Sequence, residues 1–141
     1  RYIALITKLA ARQPVMLLWS PGPQSDPRHP GDDEMAARIL EATKGLAVRG
    51  VATRELASLI AALSVVDRVI CPDGGAMHLA AALGKPVVAL FGDSPVERWR
   101  PWGVPHRVVR PDSGDLADLL VDAVLAAHAE LAGIGGDEDR A

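Results

Sequence analysis

The chain has 141 residues, 49% of them hydrophobic, and a formal net charge of −3. That composition suits one compact domain with one core, and without a Lys/Arg cluster it excludes the basic footprint of a nucleic-acid-binding protein. Every apolar stretch is cut by charge, Gly or Pro well short of the ~20 residues a bilayer span needs.

The chain opens in "RYIALITKLAARQP", with Tyr2, Ile3, Ile6, Leu9 and Ala10 at helical spacing and neither an initiator Met nor a secretory pattern. This beginning reads as the inside of a longer protein. "PVMLLWS" is a short apolar strand, and it feeds "PGPQSDPRHPG", whose prolines forbid helix or inner strand, so a mobile loop is expected. "DDEMAARILEATKG" follows as a helix with acids in its first turn and Gly45 past its end. "LAVRGV" reads as a strand, and "TRELASLIAALSV" as a helix capped by Thr53 that buries Leu56, Leu59, Ile60 and Leu63.

"DRVIC" is the next strand, where the single cysteine, Cys71, reads as a small buried residue. With no partner thiol in the chain, a reducing compartment is expected. A helix over "DGGAMHLAAALGKP", a strand over "PVVALF", a last strand over "HRVVR" and a helix over "DLADLLVDAVLAAHAEL" complete the series. Continuous apolar strands that alternate with helices specify α/β: a Rossmann-like three-layer α/β/α arrangement around a parallel sheet. Residues 1–132 are expected to form that domain, incomplete at its N-terminal edge, with 133–141 a disordered tail.

Ligands of such sheets sit beyond the carboxyl ends of the strands, which is where the stretch 73–78 falls. Asp73 suits an N-cap, Gly74 and Gly75 allow close approach to the backbone, and the first-turn amides favour a phosphate. His78, about one turn in, can hydrogen-bond an anion. Gly84 and Pro86 end the helix. The structural alternative accounts for each feature singly: Asp73 as a cap, the glycines as a turn, and His78 as a half-buried polar side chain.

The stretch "VDRVICPDGGAMHLAAALGKPVVALFGDSPVERWRPWG" closely resembles the signature of family nine glycosyltransferases, the ADP-heptose:lipopolysaccharide heptosyltransferase group. In that signature a strand leads to an Asp-x-Gly-x-x-His helix, then Gly-x-Pro, an apolar strand and Phe-Gly. The resemblance covers residues 48–103 well and the flanks weakly. It implies a GT-B fold, two Rossmann-like domains facing a cleft, of which this chain would be the C-terminal, donor-binding half.

The resemblance also implies a nucleotide-sugar donor, ADP-heptose-like, held by Asp73, Gly74, Gly75, Ala76, Met77 and His78. The amides would take the diphosphate, Asp73 the transferred sugar, and His78 would support the leaving group. Asp32 and Asp33 are candidate ribose contacts, although acids at a helix start explain them equally. The family's Lys-bearing loop would precede this chain, and the Pro-rich loop is longer than the family's pattern.

Ser94, Pro95 and Glu97 read as a capping box with Pro in the first helical position, and Trp99 and Trp102 as packing or domain-junction residues. Ser94 has no base beside it for nucleophilic work. His29, His106 and His128 have no partner at zinc-ligand spacing, so no metal is expected, and no cofactor beyond the donor.

The resulting expectation is an inverting transfer of heptose or a similar sugar to a cell-surface glycan or glycolipid acceptor of the lipopolysaccharide-core kind. The acceptor and the general base would lie on the missing N-terminal domain. The chain alone would be inactive, and the full protein cytoplasmic, with peripheral membrane association at the inner face. The alternatives are a nucleotide-sugar epimerase of GT-B architecture, separated by its product, and a non-catalytic nucleotide-binding module, separated by the cleft acids of the upstream sequence.

Overall fold

The structure, a computed structural model, describes residues 1–134. Its contacts gather into two compact units, Arg1–Ala62 and Leu63–Ala141. Both follow from the same physical rule: parallel strands cannot be joined by a tight turn, so each needs a crossover helix.

The first unit contains α1 (Tyr2–Ala10), β1 (Val15–Trp19), α2 (Asp33–Ala42), β2 (Val48–Ala52) and most of α3 (Leu56–Ser64), which runs across the boundary between the units. β1 and β2 pair in parallel from Val15↔Val48 to Trp19↔Ala52. Leu5, Ile6 and Leu9 of α1 and Ala36 and Ile39 of α2 are buried, the i, i+3, i+4 pattern that gives a helix one apolar face. Gly50 lies in β2 because a Cβ there would stand 2.7 Å from Leu40 Cδ1 and 3.1 Å from Trp19 Cζ3.

The Pro-rich loop between β1 and α2 is closed on itself by hydrogen bonds. Asp32 N–H donates to Ser20 O (2.9 Å) and Gly31 N–H to Pro23 O (3.1 Å). Asp26 accepts from the amides of Arg28 and His29 at 2.9 and 3.2 Å, which holds its carboxyl below the usual range. The chain crosses itself so closely that a Cβ on Gly31 would overlap the Gly22 backbone.

The expected cap at Thr53 is absent. Its hydroxyl and amide both donate to Trp19 O, each at 2.9 Å, and so extend the strand pairing. α3 starts later, at Leu56, and leaves that leucine 62% exposed instead of buried.

The second unit holds β3 (Val69–Pro72), α4 (Gly75–Ala82), β4 (Val87–Leu90), α5 (Val96–Trp99), β5 (His106–Val109) and α6 (Val121–Ile134). The sheet order is β3-β4-β5, all parallel. Val87, Val88, Ala89 and Leu90 are all buried; since alternate strand residues point to opposite faces, β4 is covered on both sides. α4 packs on β3 and β4, and α6 on β4 and β5. The expected α/β class with parallel strands is present, its strands divided between two sheets.

α4 ends in a Schellman motif: Lys85 N–H donates to Ala80 O (3.0 Å), Gly84 N–H to Ala81 O (2.9 Å), and Gly84 takes φ +72°. The last expected helix is broken. Asp115 accepts from the Ala117 amide at 2.8 Å and caps a 3-10 helix, Leu116–Asp118; Leu119 is extended, and α6 begins only at Val121. α6 includes Gly133 and Ile134, which the sequence reading assigns to the tail; residues 135–141 of that tail lie outside the described residues. Among the described residues no helix is long and apolar enough to cross a membrane.

Replacing Gly50 by Ala should lower the unfolding free energy by about 1–3 kcal/mol, as overpacking does; chemical denaturation measures it, and an unchanged midpoint would contradict the packing. His128 supplies a pH test. Burial, reinforced by the Arg68 charge, holds its imidazole below the ordinary 6.5. The unfolded chain therefore binds a proton that the folded chain refuses, so this contribution is intact above about pH 7 and is lost as pH falls through 6.5 toward the lower folded value. Thermal unfolding of His128→Gln should show a shallower loss than wild type across that window.

Candidate functional site

β3 must leave the sheet and start a helix within two residues, and the backbone does so at Gly74 with φ +155° and ψ −171°. That conformation is essentially reserved for glycine. Upstream the strand is held by Asp73 N–H donating to Leu90 O (3.0 Å); downstream Met77 and His78 N–H donate to Gly74 O at 3.1 and 3.3 Å. Gly74, not Asp73, is thus the N-cap, and no side chain caps the helix.

This removes the structural alternative for Asp73. Its half-buried carboxylate forms no hydrogen bond or ion pair among the described residues. Its charge is felt by Cys71, whose thiol is pushed up to about 12, first by burial and then by Asp73, so the cysteine is an inert strand residue.

The two glycines separate in the same way. Gly74 is required by its φ, whereas Gly75 has an ordinary backbone, and a Cβ on it would meet nothing within 4 Å. Neither conformation nor packing demands a glycine at position 75; what its absent side chain preserves is open space over the helix start. The amides of Gly75 and Ala76 open the helix without acceptors inside it. Such a helix end attracts anions through its oriented N–H groups and dipole.

Met77 is completely buried and anchors α4 in the core, with Ala80 beside it. Its side chain packs in the core and its amide donates to Gly74 O. His78 is exposed, its ring 6.4 Å from the Trp99 ring in an edge-on arrangement.

Asp32 and Asp33 lie in the first unit, at the head of α2. The Asp33 carboxylate is taken: Trp19 Nε1–H donates to Oδ1 at 2.8 Å and Gly22 N–H to Oδ2 at 2.9 Å. The indole bond first, then the Gly22 amide, hold its carboxyl below the usual range. It ties the Pro-rich loop to β1. Asp32 is the N-cap by position and makes no side-chain cap bond.

The stretch after β4 differs from its sequence reading. Pro95 is the N-cap of α5, its carbonyl accepting from Arg98 and Trp99 N–H, both at 3.2 Å. Glu97 is then one position short of a capping box and Ser94 caps nothing. Trp99 and Trp102 are 43% and 67% exposed, with the guanidinium groups of Arg98 and Arg100 each 5.1 Å from the respective ring centroid. Cation–π contacts cover faces of these indoles, which the sequence reading takes as packing or domain-junction residues.

The carboxyl ends of β4 and β5 are joined by close packing: a Cβ on Gly92 would stand 2.8 Å from Gly114 O, and one on Gly114 would collide with the Asp93 carboxylate. A cavity of about 370 Å3 lies beyond β5, lined by residues that include Arg110, Asp112, Ser113, Asp118 and Leu120. None of the residues expected from the sequence lines it.

Strand, glycine turn and helix start follow one another here in the order of an α/β domain whose first helical amides face open space. Residues 1–122 match the family described as "Glycosyltransferase family 9 (heptosyltransferase)", and the chain belongs to that family. It is similar to the solved structure "E. coli heptosyltransferase WaaC with ADP", with 26% identity over 92% of this chain and 38% of that one, at a TM-score of 0.76. The structure "E. coli heptosyltransferase WaaC with ADP-2-deoxy-2-fluoro heptose" is similar at 26% identity, 92% and 36% coverage, and TM-score 0.71. "Structure of E. coli ADP-heptose lps heptosyltransferase II" is similar at 26% identity, 92% and 40% coverage, and TM-score 0.73. This chain therefore spans well under half the length of those proteins. A search among curated proteins found no match.

The different duties of the two glycines can be measured directly. Gly74→Ala should cost about 1–3 kcal/mol of stability, the scale of a forced backbone conformation. Gly75→Ala should leave stability unchanged or raise it by up to about 1 kcal/mol, through the unfolded state. Equal destabilisation by both would remove the argument that Gly75 preserves space for something other than the fold.

Proposed function

We propose that this chain is the donor-binding part of a glycosyltransferase that moves heptose or a similar sugar from an ADP-type nucleotide-sugar to a cell-surface glycan or glycolipid, with inversion. Residues 1–132 act as one donor-binding half, working against a second domain that carries the acceptor and the general base. The full protein works in the cytoplasm, with the inner membrane face as the place where it meets a glycolipid. The observation that carries the reading is the open helix start at Gly75 beside an unspent Asp73 carboxylate. One similar protein, E. coli heptosyltransferase WaaC, has been solved both with ADP and with ADP-2-deoxy-2-fluoro heptose, ligands whose diphosphate suits such a helix end.

In this reading the Gly75 and Ala76 amides hold the diphosphate and stabilise the charge that grows on it as the glycosidic bond breaks. Asp73, at the mouth of the site, accepts hydrogen bonds from sugar hydroxyls. His78, one turn in, donates to the departing phosphate. No side chain here serves as the proton acceptor, and the reaction needs donor and acceptor brought together by both domains. Electrostatic support of this kind requires no metal, since the helix amides and His78 already oppose the leaving charge.

The test is calorimetry with ADP on the full-length protein. Gly75→Asp places a carboxylate in the open space and should weaken ADP binding by roughly tenfold or more while leaving the fold intact. Undiminished ADP binding would overturn the site assignment. Product analysis with an ADP-sugar and acceptor then checks the reaction: transferred sugar supports it, and an isomerised donor would establish an epimerase instead.

A further inference from the structure

The stretch 94–102 is not absorbed by the donor site, yet it reaches it through one contact. The Trp99 indole stands edge-on to the His78 imidazole, with centroids 6.4 Å apart and planes at 61°. That separation and tilt are those of an attractive aromatic pair. Both side chains are exposed, so the contact is not forced by burial in the core.

The frame on each side is fixed. On α4, Met77 and Ala80 are buried beneath the helix, and the His78 amide donates to Gly74 O. On the other side, Phe91 and Pro101 are both fully buried and anchor the ends of the segment that carries α5. Within it Trp99 N–H donates to Pro95 O at 3.2 Å and Arg100 N–H to Val96 O at 2.9 Å. The Arg98 guanidinium lies 5.1 Å from the indole centroid and covers a face of the ring. An exposed histidine on a first helical turn otherwise samples several rotamers, and fixing one costs conformational entropy.

Resting on the donor-site reading above, we propose that Trp99 is a positioning residue: it holds the His78 imidazole in the orientation that meets the leaving diphosphate, and Arg98 holds Trp99. Trp99 touches neither donor nor acceptor. Its effect passes through His78 and is felt when charge develops, so it acts on kcat and leaves donor KM nearly unchanged.

A double-mutant cycle in the full-length enzyme tests this, with donor and acceptor kinetics measured beside thermal unfolding. Trp99→Ala should lower kcat about three- to tenfold, the range one aromatic contact provides, with donor KM within about twofold. Trp99→Phe should recover most of that loss, because a ring edge or face is restored, whereas Trp99→Leu, which keeps apolar bulk, should not. In a His78→Ala background Trp99→Ala should cost nothing further. Trp102→Ala, the neighbouring exposed indole with no contact to His78, should keep wild-type kinetics. Independent, multiplicative losses, an unchanged kcat in Trp99→Ala, or full recovery by Leu would each overturn the positioning role while leaving the donor site standing. A silent His78→Ala with normal ADP binding would remove the imidazole, and Trp99 with it, from the reaction. Loss of ADP binding in Gly75→Asp tests the donor site separately.

Discussion

A single backbone constraint organises the second unit: a parallel strand that must become a helix within two residues needs one residue at strongly positive φ, and Gly74 supplies it at +155°. The turn decides the direction of α4, which lowers Met77 and Ala80 into the core and raises Gly75 and His78 out of it. It also decides how the polar groups are used. The Gly74 carbonyl accepts from Met77 and His78, and the Asp73 amide donates to Leu90. What is left over is the Asp73 carboxylate and the first helical amides: one negative group and a cluster of positive dipole ends within a few residues, an arrangement that fits a ligand offering both hydroxyls and phosphate oxygens.

Parallel pairing extends this logic to the rest of the unit. Because β3, β4 and β5 run the same way, the segments after Pro72, Leu90 and Val109 all emerge at one edge. Gly92 and Gly114 let the second and third of these lie against each other. The second also sends α5 back toward the head of α4, where Trp99 meets His78. A mixed or antiparallel sheet would scatter these loops to opposite ends. The proposed site is therefore a consequence of strand direction first and of side-chain chemistry second.

The periodic signals carried most of the fold: apolar runs bounded by Gly or Pro became strands, and the Schellman end at Gly84 was visible as a glycine before a proline. Boundaries failed where a local hydrogen bond outcompeted a helix. Asp115 captured the Ala117 amide and broke one helix into two pieces, and Thr53 continued a strand pairing where a cap was expected. The capping box at Ser94 was a correct pattern one residue out of phase, because the Pro95 carbonyl, not the Ser94 hydroxyl, starts the helix. Between packing and a domain junction the sequence does not choose for Trp99 and Trp102; both are exposed in this chain, with arginines one position before Trp99 and two before Trp102 over their rings. No periodicity encodes that choice.

The sharpest limit is set by two aspartates that look alike in sequence. Asp33 and Asp73 each stand at the start of a helix with glycine nearby; spacing alone explains each as a helix-start acid, and the family resemblance adds a ligand contact for each. The fold surrounds their carboxylates differently. Asp33 accepts from the Trp19 indole with one oxygen and from the Gly22 amide with the other, and so helps close the Pro-rich loop. Asp73 spends neither on the described residues. A carboxylate already holding two donors keeps fewer lone pairs and less freedom to turn toward a sugar, whereas an uncommitted one has all of its acceptor sites left. The difference depends on where a tryptophan 14 residues upstream of Asp33 happens to point, and only the folded chain reveals it.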